Sequence, residues 1–251
     1  MNEKGGPIHQ KLIVAHRGAP SDSRENTIES FEKAIALGAD MIEFDVRRTK
    51  DKVLIAYHDE SIQDRPVREL TFKAISQIAR NQGFDIPTVE EVLRFTRGKI
   101  KLDVELKEKG YEKETVELIT RYFEKDQFVI SSFNDASLKT IKNDDPGIRV
   151  GLILGKFEAS LRTRFWEFFP ARRCDEAKVD FMVPHWRLLR FGFLARAERD
   201  KKPVFVWTVN DEEMIRKLLR DGRVYAIVTD KADLAVSLRK VLTQQSEERT
   251  A

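Results

Sequence analysis

Cysteine is nearly absent: Cys174 is the one thiol among 251 residues, which excludes an internal disulfide framework and agrees with a reducing compartment. Long apolar runs are missing too. Nowhere do eighteen uncharged apolar residues follow one another, so no segment reads as a membrane span. The opening residues, MNEKGGPIHQK, lack the apolar stretch of an export signal. A cytoplasmic location, with any membrane contact peripheral, is the expectation. No charge of one sign predominates, because 45 Lys+Arg face 42 Asp+Glu for a net +3. That balance gives no argument for a nucleic-acid partner. Pro- or Ser-rich linkers, low-complexity tracts and evident repeats are also missing.

What is present is regular. Short apolar, β-branched runs recur at Leu12–Ala15, Met41–Val46, Ile100–Leu106, Phe128–Ser132, Arg149–Leu154, Phe181–Pro184, Pro203–Thr208 and Tyr225–Thr229. Between or after them lie stretches of helical periodicity, including Thr27–Leu37, Thr88–Thr96, Glu112–Glu124, Ala136–Lys142, Glu158–Phe168, Leu188–Arg199, Asp211–Arg220 and Asp233–Leu242. Eight such pairs in one domain's length predict an α/β fold, a single (β/α)8 TIM barrel over residues 1–251 with its core at about 11–242. Val53–Tyr57 reads as a ninth strand, turned back at Asp51 and Lys52 to make a hairpin on the rim. The polar tail Thr243–Ala251 is expected to fray.

In such a barrel the reactive groups stand at the carboxyl ends of the strands. The first strand ends in His16, Arg17 and Gly18. On the second, Glu43 and Asp45 alternate with Ile42, Phe44 and Val46, which puts both carboxylates on one face. The third repeats the pattern, with Asp103, Glu105 and Lys107 opposite Leu102, Val104 and Leu106. Four acids in a barrel interior are costly unless a cation compensates them. Ligation by carboxylate oxygens suits a hard divalent cation, Mg2+ or Ca2+. Arg17 and Lys107 are then natural partners for a phosphate beside it. His16 and His58, the latter in VLIAYHDE, are suited to acid–base work near neutral pH.

The strings LIVAHRGAP, ENTIESFEKAIALGADMIEFDVRRTKD, VLIAYHDE, IKLDVELK, VISSF, VFVWTVND and AIVTDKAD resemble, in order, the landmark segments of the glycerophosphodiester phosphodiesterase family. The resemblance runs from Leu12 to about Asp233. It implies hydrolysis of glycerophosphodiesters to sn-glycerol 3-phosphate and an alcohol, with one divalent cation. By similarity, Glu43, Asp45 and Glu105 are the metal ligands, His16 and His58 the acid–base pair, and Arg17 and Lys107 the phosphate contacts. The family's mechanism implies attack of the glycerol 2-hydroxyl on phosphorus, with one histidine taking its proton and the other protonating the leaving alcohol, after which water opens the cyclic phosphate. Which histidine does which stays open.

Two features depart from the family's pattern. Lys52 stands where glycine is usual, a change confined to the hairpin turn. The segment from Ser61 to Leu93 is compact where the family has a longer glycine- and threonine-containing stretch, which leaves the choice of head group open.

Other residues divide between packing and chemistry. Asp103 reads as a polar group behind the ligands. Asn26 and Glu29 have the spacing of a helix-capping box, whereas Glu25 is not needed by that cap and is a site candidate. Trp207 is assigned to the substrate side. Over residues 157–173, aromatic and basic residues form either a barrel-covering helix or an interfacial helix on anionic lipid, with Trp186–Phe193 extending the same surface. In the interfacial case a lysophospholipid replaces the small diester as substrate, in a lysophospholipase D-type activity. A third reading is a catalytically silent barrel that binds membranes or a partner.

Overall fold

The alternation of pointing directions along each strand forces a two-sided wall, and the computed structural model, which describes residues 11–20, 23–155 and 167–250, closes that wall into a barrel. Along the chain come β1 (Leu12–His16), α1 (Ile28–Leu37), β2 (Met41–Arg48), three short strands β3 (Leu54–Ala56), β4 (Ser61–Ile62) and β5 (Arg65–Pro66), then α2 (Phe72–Asn81) and α3 (Val89–Thr96). From β6 (Lys101–Leu106) strands and helices alternate: α4 (Glu112–Thr120), β7 (Phe128–Ser132), α5 (Asp135–Asp144), β8 (Val150–Leu154), α6 (Ala171–Glu176) and β9 (Phe181–Pro184) follow. The chain ends with α7 (Phe193–Arg199), β10 (Phe205–Val206), α8 (Glu212–Arg220), β11 (Ala226–Thr229) and α9 (Ala232–Thr250).

Eight strands pair in parallel in the order β10-β11-β1-β2-β6-β7-β8-β9. Parallel bridges Met182–Val204 and His185–Trp207 bring the two ends of that order together. All eight strands expected from the sequence are there, and β3 pairs antiparallel with the end of β2, Val46 opposite Ala56, as the rim hairpin requires. The outward residues Ile42, Phe44, Val46, Leu102, Val104 and Ile130 are buried beneath the helices. A fully buried side chain of this size contributes roughly 1.5–3 kcal/mol relative to exposure, so this layer supplies much of the driving force. Inward, Val14, Met41, Val129, Ile153, Phe181, Phe205 and Val228 fill the interior. The absence of a Cβ at Gly151 makes room for the Phe181 ring, which would lie 2.2 Å from it.

Two elements differ from expectation. Helix α2, capped by the Thr71 side chain and burying Ile75 and Ala79, folds with β3 to β5 into a satellite core of Ile55, Tyr57, Ile62, Val67 and Leu70. Helix α9 continues to Thr250 rather than ending near Leu242, because the run TQQSEER contains good helix formers and no Gly or Pro to stop it. The Glu158–Phe168 helix lies outside the described residues except for its end. No helix among the described residues is long and apolar enough to cross a membrane.

Candidate active site

Strand pairing sets the site's register. His16 lies opposite Glu43 on β2, Glu43 opposite Asp103, and Asp45 opposite Glu105 on β6, so the inward residues of three neighbouring strands form one patch at the carboxyl end. Glu43, Asp45 and Glu105 each offer a carboxylate oxygen within 4.8 Å of the others, and all three are buried. Lys107 Nζ lies 2.7 Å from Glu105 Oε1 and 3.0 Å from Asp45 Oδ1.

The turn after β1 brings in Arg17. Its backbone N–H donates to Glu43 Oε2 at 2.9 Å, and its guanidinium donates to both oxygens of Glu25 at 2.9 Å. Its Nε lies 3.2 Å from Asp45 Oδ2. This geometry needs left-handed backbone at Arg17 (φ 54) and Gly18 (φ 89). A Cβ on Gly18 would sit 2.3 Å from Ser30 Oγ, the hydroxyl that donates to the Arg17 carbonyl. Only glycine fits there.

The two histidines are each held by a carboxylate. His16 Nδ1 is 2.7 Å from Asp230 Oδ1, and its Nε2 points into the patch, 3.9 Å from Glu43 Oε2. Asp230 is itself fixed: Asn210 Nδ2 donates to its Oδ2, and its own backbone N–H donates to Asn210 Oδ1 at 2.9 Å. His58 Nδ1 is 2.8 Å from Asp59 Oδ1, while Arg47 Nε donates to the His58 carbonyl. Burial, then the nearby Lys107, lowers the His58 pKa below its ordinary value. Arg47 and Arg48, which follow on β2, pair with Glu108 and Glu114.

Electrostatics separate the acids. Burial together with Asp45 and Glu105 holds the Glu43 carboxyl well above the usual range. Burial likewise raises Glu105 against the pull of Lys107 and Asp103 to about 7, although Ser131 Oγ donates to Asp103 at 2.7 Å. Burial opposes the charge of Asp45 as well, but Lys107, Arg17 and His58 outweigh it and leave its pKa lowered. Lys107 is desolvated yet held protonated by Glu105 and Asp45. Glu43 Oε1 is buried with no hydrogen-bond partner. Three converging carboxylates, one with an orphaned oxygen, fit a hard divalent cation.

Asn26 corrects the sequence reading. The cap of α1 is Thr27, in a reciprocal box with Ser30. Asn26, at φ 57, is buried and clasps Asp45 instead, donating Nδ2 to Asp45 Oδ2 at 2.8 Å and accepting the Asp45 N–H at 3.1 Å. Trp207 lies just past β10 at the same barrel end, its ring edge-on to Phe133 and to His185 and its Nε1 donating to the Leu154 carbonyl. Asp230 and Asn210 were missed as site residues. The signal was there in VTDKAD and VWTVND, since Asp230 follows directly on β11 and Asn210 lies in the loop that leaves β10.

The sequence profile of the Glycerophosphoryl diester phosphodiesterase family matches residues 16–234. A glycerophosphodiester phosphodiesterase of Caldanaerobacter subterraneus is 29% identical over 246 residues, 90% of this chain and 97% of that protein. The Bacillus subtilis protein YhdW is 31% identical over 241 residues, 89% of this chain and 96% of its own length. Among solved structures, a phosphodiesterase of Oleispira antarctica in complex with the product sn-glycerol-3-phosphate superposes with a TM-score of 0.78 at 22% identity, covering 92% of this chain and 97% of that one.

Proposed function

The chain belongs to the glycerophosphoryl diester phosphodiesterase family, and from that premise we propose that it hydrolyses glycerophosphodiesters to sn-glycerol 3-phosphate and an alcohol, with one divalent cation, Mg2+ or Ca2+, held by Glu43, Asp45 and Glu105. The convergence of these three buried carboxylates carries the reading. When bound, the cation supplies Lewis-acid stabilisation of charge on the phosphoryl group. Lys107 and Arg17, ordered by Glu105, Asp45 and Glu25, bind the phosphate oxygens and orient the diester. His16, with Nδ1 engaged by Asp230, presents Nε2 for proton transfer, and His58 serves as the other member of the pair. One takes the proton of the glycerol 2-hydroxyl as it attacks phosphorus and the other gives a proton to the leaving alcohol, each worth roughly 10²–10⁴-fold; water then opens the resulting cyclic phosphate to sn-glycerol 3-phosphate. Trp207 lines the substrate side of the mouth.

The alternative of a silent barrel is disfavoured by the completeness of the set, because a non-catalytic chain has no need for two ordered histidines beside a carboxylate cluster. The test is release of sn-glycerol 3-phosphate from glycerophosphocholine and glycerophosphoethanolamine with Mg2+, Ca2+ or EDTA. Release that a cation supports and EDTA stops is the expected result. No release under any of these conditions, with lysophosphatidylcholine cleaved instead, assigns the lysophospholipase D-type reading.

A further inference from the structure

The glycerol half is common to all glycerophosphodiesters and only the alcohol varies, so selectivity comes from the wall that the alcohol meets. A recess beside His58 is lined by Arg24, Glu25, Tyr57, Asp59, Phe84 and Asp85. Arg24, Phe84 and Asp85 also line a wider cleft of about 1340 Å3 between α1, α2 and α3. The recess therefore leads from a histidine of the site toward the surface, the direction in which a group of variable size has room to extend.

Two chain segments are held in place to make this wall. Gly83, at φ 81, follows the end of α2, and the Phe84 N–H returns to the Ala79 carbonyl at 3.2 Å. The residues after it run along β3, where the Ala56 N–H donates to the Pro87 carbonyl at 2.9 Å, and Phe84 packs on the satellite core. On the other side, the Thr27 hydroxyl donates to the Arg24 carbonyl at 2.7 Å. The Arg24 guanidinium lies 3.4 Å from the centre of the Phe84 ring. Three consecutive residues thus take three tasks: Asn26 clasps Asp45, Glu25 holds Arg17, and Arg24 lies over Phe84.

The acids of the recess are each engaged: Glu25 by Arg17, Asp59 by His58 and Asp85 by Arg80. Arg24 forms no ion pair among the described residues, and the ring beneath it holds a planar guanidinium ready for a carboxylate. We propose that Arg24, stacked on Phe84, is a specificity-determining residue that meets the alcohol half of the diester and favours an alcohol bearing a carboxylate. The same stacking covers the ring face that a quaternary ammonium would need, which disfavours choline. This assignment rests on the hydrolytic reading of the site.

Glycerophosphoserine and glycerophosphoethanolamine differ by one carboxylate, so the ratio of their kcat/KM values isolates its effect. With Mg2+ or Ca2+ present, the protein is expected to favour the serine diester by about fivefold, the scale of one partly exposed ion pair, and to lose much of that preference at high salt. Arg24→Gln abolishes the preference, and Arg24→Ala raises kcat/KM for glycerophosphocholine about threefold by uncovering the ring, with the melting temperature of either variant unchanged. Equal handling of the serine and ethanolamine diesters, a serine preference that survives Arg24→Gln, or a choline rate unmoved by Arg24→Ala overturns the proposal. If no diester is turned over, the hydrolytic reading fails on its own, and the ratios of the Kd values of the same diesters, measured by calorimetry on the same proteins, decide the proposal by the same criteria.

Discussion

Glu43 is the residue whose state depends most on its company. Buried beside Asp45 and Glu105, its carboxyl is pushed well above the usual range, and a divalent cation relieves that repulsion. Glu43→Ala is therefore expected to lower turnover more than about 100-fold, since even groups behind the ligands are worth 10–100-fold; wild-type turnover in this variant removes the cation site. His58→Ala is expected to lose about 10²–10⁴ in kcat while still taking up the cation by calorimetry. An unchanged kcat excludes His58 from the chemistry. At this scale the acids were legible because strand alternation announces which side chains share a face. Asn26 was not: its neighbours make a plausible cap, and only the positive φ and the reach to Asp45 separate the two roles. Asp230 was hidden by distance, lying 214 residues from the histidine it holds.

Among the elements, the rim hairpin shows how a local departure from the family's pattern acts. Lys52 adopts φ 65, and its N–H donates to the Thr49 carbonyl, while Asp51 ties the turn to Thr49 and to the start of α2. Relief of left-handed strain outweighs the extra freedom glycine brings to the unfolded chain. Lys52→Gly should stabilise the fold by about 0.5–1 kcal/mol, read as a higher urea midpoint, with turnover unchanged; a lower midpoint contradicts the turn assignment. The β9 loop has a pH signature of its own. Burial, then Arg187, lowers the His185 pKa from 6.5 to about 4, so between those values the unfolded chain binds a proton that the native state refuses. That contribution to stability is present above pH 6.5 and is lost as pH falls through about 4. His185→Gln should flatten the fall of the urea midpoint across that window, and an equally steep fall in the variant refutes it. The eight strands were readable from periodicity, whereas α2 was not, because its apolar stripe covers a satellite core and not the barrel.

For the molecule as a whole, ring closure concentrates four acids on two neighbouring strands around a pair of cations, Arg17 and Lys107. Ligand binding to the folded state alone stabilises it. Saturating Mg2+ or Ca2+ should raise the melting temperature by about 5–10 °C at a hundredfold excess over Kd, an increase that EDTA reverses and Glu43→Ala lacks. A melting temperature indifferent to both cations contradicts the site. Barrel architecture was legible because its repeat is long and regular; how tightly the ends of the sheet meet depends on the twist between β9 and β10, where only isolated bridges form, and no residue pattern encodes that.

The interior packing also has a consequence for traffic. Phe181 and Phe205, with ring centroids 4.5 Å apart, and Tyr225 stacked on Phe205 plug the end of the barrel opposite the acids. Among the described residues the acids are left open to solvent at the other end, and a spent phosphomonoester leaves by the door its successor is waiting to use. Inhibition by that product should accordingly be purely competitive, with the two never aboard at once.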